Sequence, residues 1–240
     1  MTNRDALLLH GLGGASGTWW RVEEALRAAG WSVASPDLRG HGAGPRGGDS
    51  RLDDYADDAL ALRPASGRWD LVVGHSLGGA IAVRAGARDP DWSRRLALLD
   101  PVLRLDPALR AEVRESELAG LAVTPERLAA EQPDWHERDR AEKIAAARAA
   151  DPAAVAATID RNDPWDLLDD VPALRAPVLV LAGDPGVHTL LPPALAAAVL
   201  RASPRVRYTV VAGAGHSPHR DRADTTIAVL REWAESPATT

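Results

Sequence analysis

The sequence predicts an α/β domain in which a mostly parallel sheet carries helices on both faces. Three observations lead there. Short apolar runs alternate with helical patterns along most of the chain, one run turns through glycines straight into a helix, and a helical, acidic stretch interrupts the alternation between residues 101 and 170. Parallel neighbours need crossover connections that cover the sheet, so this alternation reads as a buried parallel sheet.

The apolar runs Ala6–Leu9, Trp31–Ser35, Leu71–Val73, Leu96–Leu99, Val178–Leu181 and Val206–Val211 are the strand candidates. Between them, Thr18–Ala29, Leu52–Leu62, Leu77–Arg88, Pro193–Arg201 and Asp221–Glu235 carry helical patterns. The 101–170 stretch has no convincing strand but three helix starts. Thr124-Pro125 and Asp151-Pro152 set a capping side chain before a first-turn proline, and Asp134 precedes Glu137 by three residues as in a capping box. This stretch holds 16 acidic and 9 basic side chains, whereas the rest of the chain is close to neutral. The breaks at Pro101 and near Pro172 therefore divide an α/β core, residues 1–100 and 171–240, from a helical lid, residues 101–170. Leu105, Leu109 and Val113 recur every four residues, which predicts a face turned from lid to core. A polar tail follows Ser236.

A chain of 240 residues can form one large domain or two small ones and can bury roughly 70 to 75% of its unfolded surface. It contains no cysteine, which excludes disulfides, iron–sulfur clusters and thiolate zinc sites. A net charge of −6 argues against nucleic acid, because phosphates call for a cationic face. No apolar run reaches the roughly 18 residues of a membrane span, and Ala6–Leu9 is too short for a signal-peptide core. The expectation is a cytoplasmic protein with no membrane partner.

The chemistry is concentrated in LVVGHSLGGAIAVRAGA, Leu71 to Ala87. In an open parallel sheet ligands sit beyond the carboxyl ends of the strands, and a turn from strand into helix puts its apex there. Strand and helix then pass so closely that positions two before and two after the apex tolerate almost no side chain. Gly74 and Gly78 occupy them, with Ser76 at the apex. The helix N-terminus beside it favours developing negative charge. Ser76 is thus the candidate nucleophile; the bland alternative is a helix-capping serine in a glycine-rich turn.

HGLGG (His10–Gly14), DLRGHG (Asp37–Gly42), GHSLGG (Gly74–Gly79), LAGD (Leu181–Asp184) and GAGH (Gly213–His216) follow one another in this order. Together they resemble the motifs of the α/β-hydrolase fold family over nearly the whole chain. The resemblance implies a carboxylesterase-like serine hydrolase with its lid inserted after the family's sixth strand. The first strand begins almost at the N-terminus, so the two antiparallel edge strands common in the family are expected to be missing or reduced.

A serine nucleophile needs a base whose pKa lies near 7, and histidine is the usual choice. Of the seven histidines, His216 follows the last strand and matches the family's base; His219 is the second choice. His75 is expected to pack, His10 to make an internal loop hydrogen bond and His41 to be structural, with His136 and His188 exposed. The resemblance and the order nucleophile, acid, base favour Asp184 as the carboxylate that orients the imidazole. Asp100, at the end of the preceding strand, is the alternative because some members place their acid there, and Asp163 and Asp166 also stay open.

The oxyanion would be met by the backbone N–H groups of Leu77, after the nucleophile, and Leu12, in the loop after the first strand. Trp19, Trp20, Trp135 and Trp165 are candidate substrate contacts, with plain packing as the competing role. No metal site, phosphate-cradling loop or organic cofactor is implied. The leading expectation is hydrolysis of a small-molecule neutral ester, thioester or lactone through an acyl-enzyme. A carbon–carbon bond hydrolase, a lyase or a cofactor-free perhydrolase of the same fold is the second, and a non-catalytic small-ligand receptor the third.

Overall fold

A computed structural model describes residues 4–236, so the polar tail beyond Ser236 lies outside the described residues. The six strands β1 (Arg4–Leu9), β2 (Trp31–Ala34), β3 (Leu71–His75), β4 (Leu96–Leu99), β5 (Val178–Ala182) and β6 (Val206–Val210) coincide with the six apolar runs to within two residues at each end. They form one sheet in the order β2-β1-β3-β4-β5-β6, and every pairing is parallel. The chain steps from β1 to β2 on one side and then crosses to β3 on the other. The strand order thus reverses between β1 and β3, and a crevice opens at their carboxyl ends.

Successive side chains of a strand face opposite layers. Leu7 and Leu9 of β1, with Val72, Leu96, Leu98, Val178 and Val180, join the core under α2 (Leu52–Ala61), α3 (Leu77–Arg88) and α8 (Pro193–Ala202). Ala6 and Leu8, with Leu71, Val73, Ala97 and Leu99, join the opposite core under α1 (Trp20–Ala28) and α10 (Ala223–Glu235). Strands buried on both sides need continuous apolar runs, which is why these were legible.

Between β4 and β5 lie α4 (Arg110–Gly120), α5 (Pro125–Glu131), α6 (Glu137–Ala149) and α7 (Pro152–Asp160). Thr124 and Asp151 cap α5 and α7, their side chains accepting from the N–H groups of Arg127 and Ala153. The third start differs from expectation. His136, not Asp134, caps α6, its Nδ1 accepting the Arg138 N–H at 3.1 Å. The expected helix Asp221–Glu235 is likewise broken at Arg222, leaving the short α9 (Pro218–Asp221) ahead of α10. The helical segment is tied to the core through Asn162, which accepts the Leu52 N–H at 2.7 Å and donates to the Ser50 carbonyl at 3.1 Å. No helix among the described residues is long and apolar enough to cross a membrane.

Candidate active site

Ser76 stands between β3 and α3 with φ 52° and ψ −115°, a left-handed conformation that costs a non-glycine residue on the order of 1–3 kcal/mol. The glycines around it explain how the turn closes. A Cβ on Gly78 would lie 2.0 Å from the Leu9 carbonyl oxygen, and one on Gly74 would lie 2.3 Å from that of Gly78. The loop after β1 is equally close, since a Cβ on Gly11 would lie 3.1 Å from the Ser76 Cβ.

That loop is fixed from several directions. The Gly14 N–H closes a turn on the Gly11 carbonyl at 3.0 Å. His10 donates from Nδ1 to the Gly11 carbonyl at 2.8 Å and accepts the Leu38 N–H at Nε2, 3.0 Å away. His41 accepts the Gly13 N–H at Nε2, 3.1 Å, and donates from Nδ1 to the Arg39 carbonyl at 2.9 Å. Both rings therefore serve as neutral braces between the HGLGG and DLRGHG loops. Burial keeps them neutral, drawing His10 down to about 3, with His41 nearby adding to it, and lowering His41 as well. From the helical segment the Lys143 ammonium donates to the Gly13 carbonyl at 3.3 Å, and desolvation lowers its pKa to about 8.

The sheet brings Ser76 beside Asp100. His75 pairs in register with Leu99, and the Ser76 N–H donates to the Leu99 carbonyl at 3.0 Å, so the next residue of each strand end is Ser76 on one and Asp100 on the other. Asp100 is wholly buried and, like Ser76, has positive φ, 40°. Its Oδ2 accepts from His216 Nδ1 at 2.6 Å and the Leu190 N–H at 2.9 Å. Its Oδ1 accepts the Gly183 N–H at 3.0 Å and the Thr189 hydroxyl. Burial pushes this carboxyl up, but the bonds from His216, Thr189 and Leu190 outweigh it and hold the pKa below the ordinary value. An ionised acceptor at Nδ1 fixes the proton there and leaves Nε2 of His216 as the basic nitrogen.

Asp184, expected to hold the imidazole, is elsewhere. Its Oδ1 accepts the Gly186 N–H at 2.8 Å and its Oδ2 the Gly213 N–H at 2.8 Å, and these bonds lower its pKa. The physical reason is local: Asp184-Pro185-Gly186 is a turn sequence in which an aspartate bonds to the backbone two residues on. Asp163 and Asp166 are exposed and paired with Arg110 and Arg104 at 3.0 and 2.6 Å.

The other histidines divide clearly. His75 is buried and donates from Nε2 to the His216 carbonyl at 2.8 Å, with the two rings 4.9 Å apart. His219 is buried and stacked on Trp19 at 4.8 Å. Desolvation first, then neighbouring histidines and Arg220, keeps both well below their ordinary pKa. His136 and His188 are exposed.

A cavity of about 490 Å³ opens beside the elbow, lined by Ser76, Leu12, Leu77, Val102, Trp165 and two carboxyls, the half-buried Glu117 and the exposed Asp106. Desolvation raises the Glu117 pKa. Leu105, Leu109 and Val113 also line it: Leu105 and Val113 pack against the core as the stripe predicts, Leu109 is exposed, and the same face borders this space. A second, polar cleft of about 470 Å³ is lined by His216, His188, Trp135 and Asp221. Of the four tryptophans, Trp165 lines the apolar cavity and Trp135 the polar cleft. Trp19 is instead buried in the core under α1 and α10, and Trp20 donates its indole N–H to Asp139 at 2.7 Å.

The chain is similar to known proteins in sequence and in fold. Residues 6–229 match the model of a family described as the alpha/beta hydrolase family. Lipase LipV of Mycobacterium tuberculosis is 33% identical over 160 residues, 65% of this chain and 56% of the lipase. The pimeloyl-[acyl-carrier protein] methyl ester esterase of Chromobacterium violaceum is 42% identical over 95 residues, 40% of this chain and 36% of that enzyme. The matched stretches thus span about half or less of these curated relatives. Among solved structures, a thermophilic esterase from Thermogutta terrifontis superposes with a TM-score of 0.79 at 26% identity, covering 99% of this chain and 92% of that one. An enol-lactonase from Burkholderia xenovorans shares the fold with a TM-score of 0.80 at 23% identity, covering 98% and 93%.

Proposed function

The chain belongs to the alpha/beta hydrolase family, and from that premise we propose that it is a serine hydrolase acting on a neutral carboxylic ester, thioester or lactone through an acyl-enzyme on Ser76. The observation that carries this reading is the 2.6 Å bond from His216 Nδ1 to the buried Asp100, at the strand end next to the strained serine. Serine is a weak nucleophile until a base takes its proton. His216 Nε2 is that base, and Asp100, in place of Asp184, orients the ring and stabilises it when protonated.

Ser76 Oγ attacks the acyl carbon while its proton passes to His216. The negative oxygen is met by the N–H of Leu12 and by that of Leu77, which opens α3 and so has no intrahelical acceptor. Each such donor contributes about 3 to 4 kcal/mol to the transition state. The tetrahedral adduct collapses as His216 returns the proton to the leaving oxygen or sulfur. Water, deprotonated by the same ring, then releases the acid and restores Ser76. The helical segment 101–170 acts as a lid, and the apolar cavity it helps to line receives the acyl chain; its size falls within the 300–1,000 Å³ usual for small-molecule sites. Leaving group and water use the polar cleft beside His216.

The test is hydrolysis of p-nitrophenyl acetate and butyrate by the wild type and Ser76→Ala. A burst of p-nitrophenol followed by steady turnover, both lost in the variant, is expected. Equal turnover by Ser76→Ala, or ligand binding without turnover by the wild type, overturns the reading.

A further inference from the structure

Asp221 joins two parts of the molecule that the catalytic scheme leaves unconnected. It is the last residue of α9, five positions after His216. Its Oδ2 accepts the N–H groups of Gly215 at 2.8 Å and Ser217 at 3.2 Å, the residues on either side of His216. Its Oδ1 accepts the indole N–H of Trp135 at 2.6 Å, from the helical segment 86 positions away in sequence. Trp135 is buried, packed with Leu128 and Ile144 of its own segment, and lies 5.0 Å beneath the Arg220 guanidinium.

We propose that Asp221 is a positioning residue for His216 and that Trp135 completes it, so that the imidazole is held most closely while the helical segment is seated. This rests on His216 being the base. Two donors on one oxygen fix the peptide planes flanking His216, and the third donor on the other oxygen stops the carboxylate from rotating. When Trp135 leaves, Oδ1 turns to water and the hold on Gly215 and Ser217 loosens. Asp100 grips the ring itself and His75 the His216 carbonyl, so the loss is graded rather than complete. A small misplacement of a catalytic group costs up to about 100-fold in rate.

The experiment is a double-mutant cycle of Trp135→Phe and Asp221→Asn, with Asp221→Ala alongside, read as separate kcat and KM on p-nitrophenyl butyrate. Trp135→Phe keeps an aromatic ring and removes the donor together with part of the packed indole, a packing loss that is the same with or without Asp221→Asn and so cancels in the cycle. It is expected to lower kcat about 10-fold with KM nearly unchanged, and to have no further effect once Asp221 is Asn. Asp221→Asn keeps one carbonyl oxygen for the loop, so it should retain more kcat than Asp221→Ala. Should Asp221→Ala fail to fold, the cycle through Asn carries the test alone. Additive losses, a change confined to KM, or an unchanged kcat in Asp221→Asn and Trp135→Phe overturns the proposal. His216→Ala separates it from the reading beneath: full activity there removes the base itself, whereas an inactive His216→Ala with additive losses removes only the role of Asp221.

Discussion

A buried carboxylate is costly unless its lone pairs are used, and removal of one partner from a buried ion pair typically costs 3–5 kcal/mol. Asp100 has four donors around its two oxygens and sits in the second row of the site, whereas Asp184 is half-exposed and bonded only to loop N–H groups. The two substitutions should therefore diverge. Asp100→Asn is expected to lower kcat by about 10⁴, because an amide N–H facing Nδ1 imposes the wrong tautomer. Asp184→Asn should stay within about threefold of wild type. The reverse order, measured under saturating substrate, would return the acid to Asp184. The turn that carries Ser76 and the loop that carries His216 were legible because each has its own sequence marks. The carboxylate that His216 bonds was not, because two aspartates follow strands and only the pairing of β3 with β4 brings Asp100 alongside Ser76. The Asp-Pro-Gly turn at 184–186 was the available signal against Asp184.

At the scale of elements, the elbow depends on close backbone approach. Gly78→Ala would set a Cβ 2.0 Å from a carbonyl oxygen of β1 and 2.8 Å from that of His10, and neither can swing away as a flexible side chain can. The expected cost is about 1–3 kcal/mol or more of stability, with activity lost as the His10–Gly14 loop is pushed from the serine. Gly120→Ala is the control, since its Cβ meets nothing within 4 Å at the end of α4. It should be neutral or stabilising by up to about 1 kcal/mol. Thermal melting of the two variants tests the pair, and equal stabilities would contradict the geometry. Strands read well from sequence because both faces are buried, and two of three caps read well because Thr-Pro and Asp-Pro specify the first turn. His136 supplanted Asp134 because a ring nitrogen two residues later reaches the same kind of N–H. The stripe Leu105, Leu109, Val113 was recognised as one apolar face, and Leu105 and Val113 meet the core as expected, but periodicity cannot say that the same face also borders a cavity.

The whole molecule carries an unusual store of buried neutral histidine. His10, His41, His75 and His219 all have folded pKa values below the unfolded one, so between pH 6.5 and the folded value the unfolded chain binds more protons. Stability is fully present above pH 6.5 and declines as pH falls. For His10, drawn down to about 3, the loss between pH 7 and pH 5 is about 2 kcal/mol, and the other three add in the same direction. Glu117 and Asp170, raised by burial, act oppositely at lower pH. Urea unfolding at pH 7 and pH 5 should show the midpoint falling; a flat or rising midpoint would mean that the rings take up protons in place. The structural roles of His10, His41 and His75 were legible from the loops that hold them, but their loss of basicity was not, because it comes from burial among groups distant in sequence.

The most direct measurement is labelling with a fluorophosphonate, followed by mass spectrometry of the intact protein and of the peptide containing residues 71–87. One adduct per chain on Ser76 is expected, absent from Ser76→Ala and much slower to form in His216→Ala and Asp100→Asn. Label on another residue, undiminished labelling of Ser76→Ala, or a rate indifferent to His216 would contradict the account.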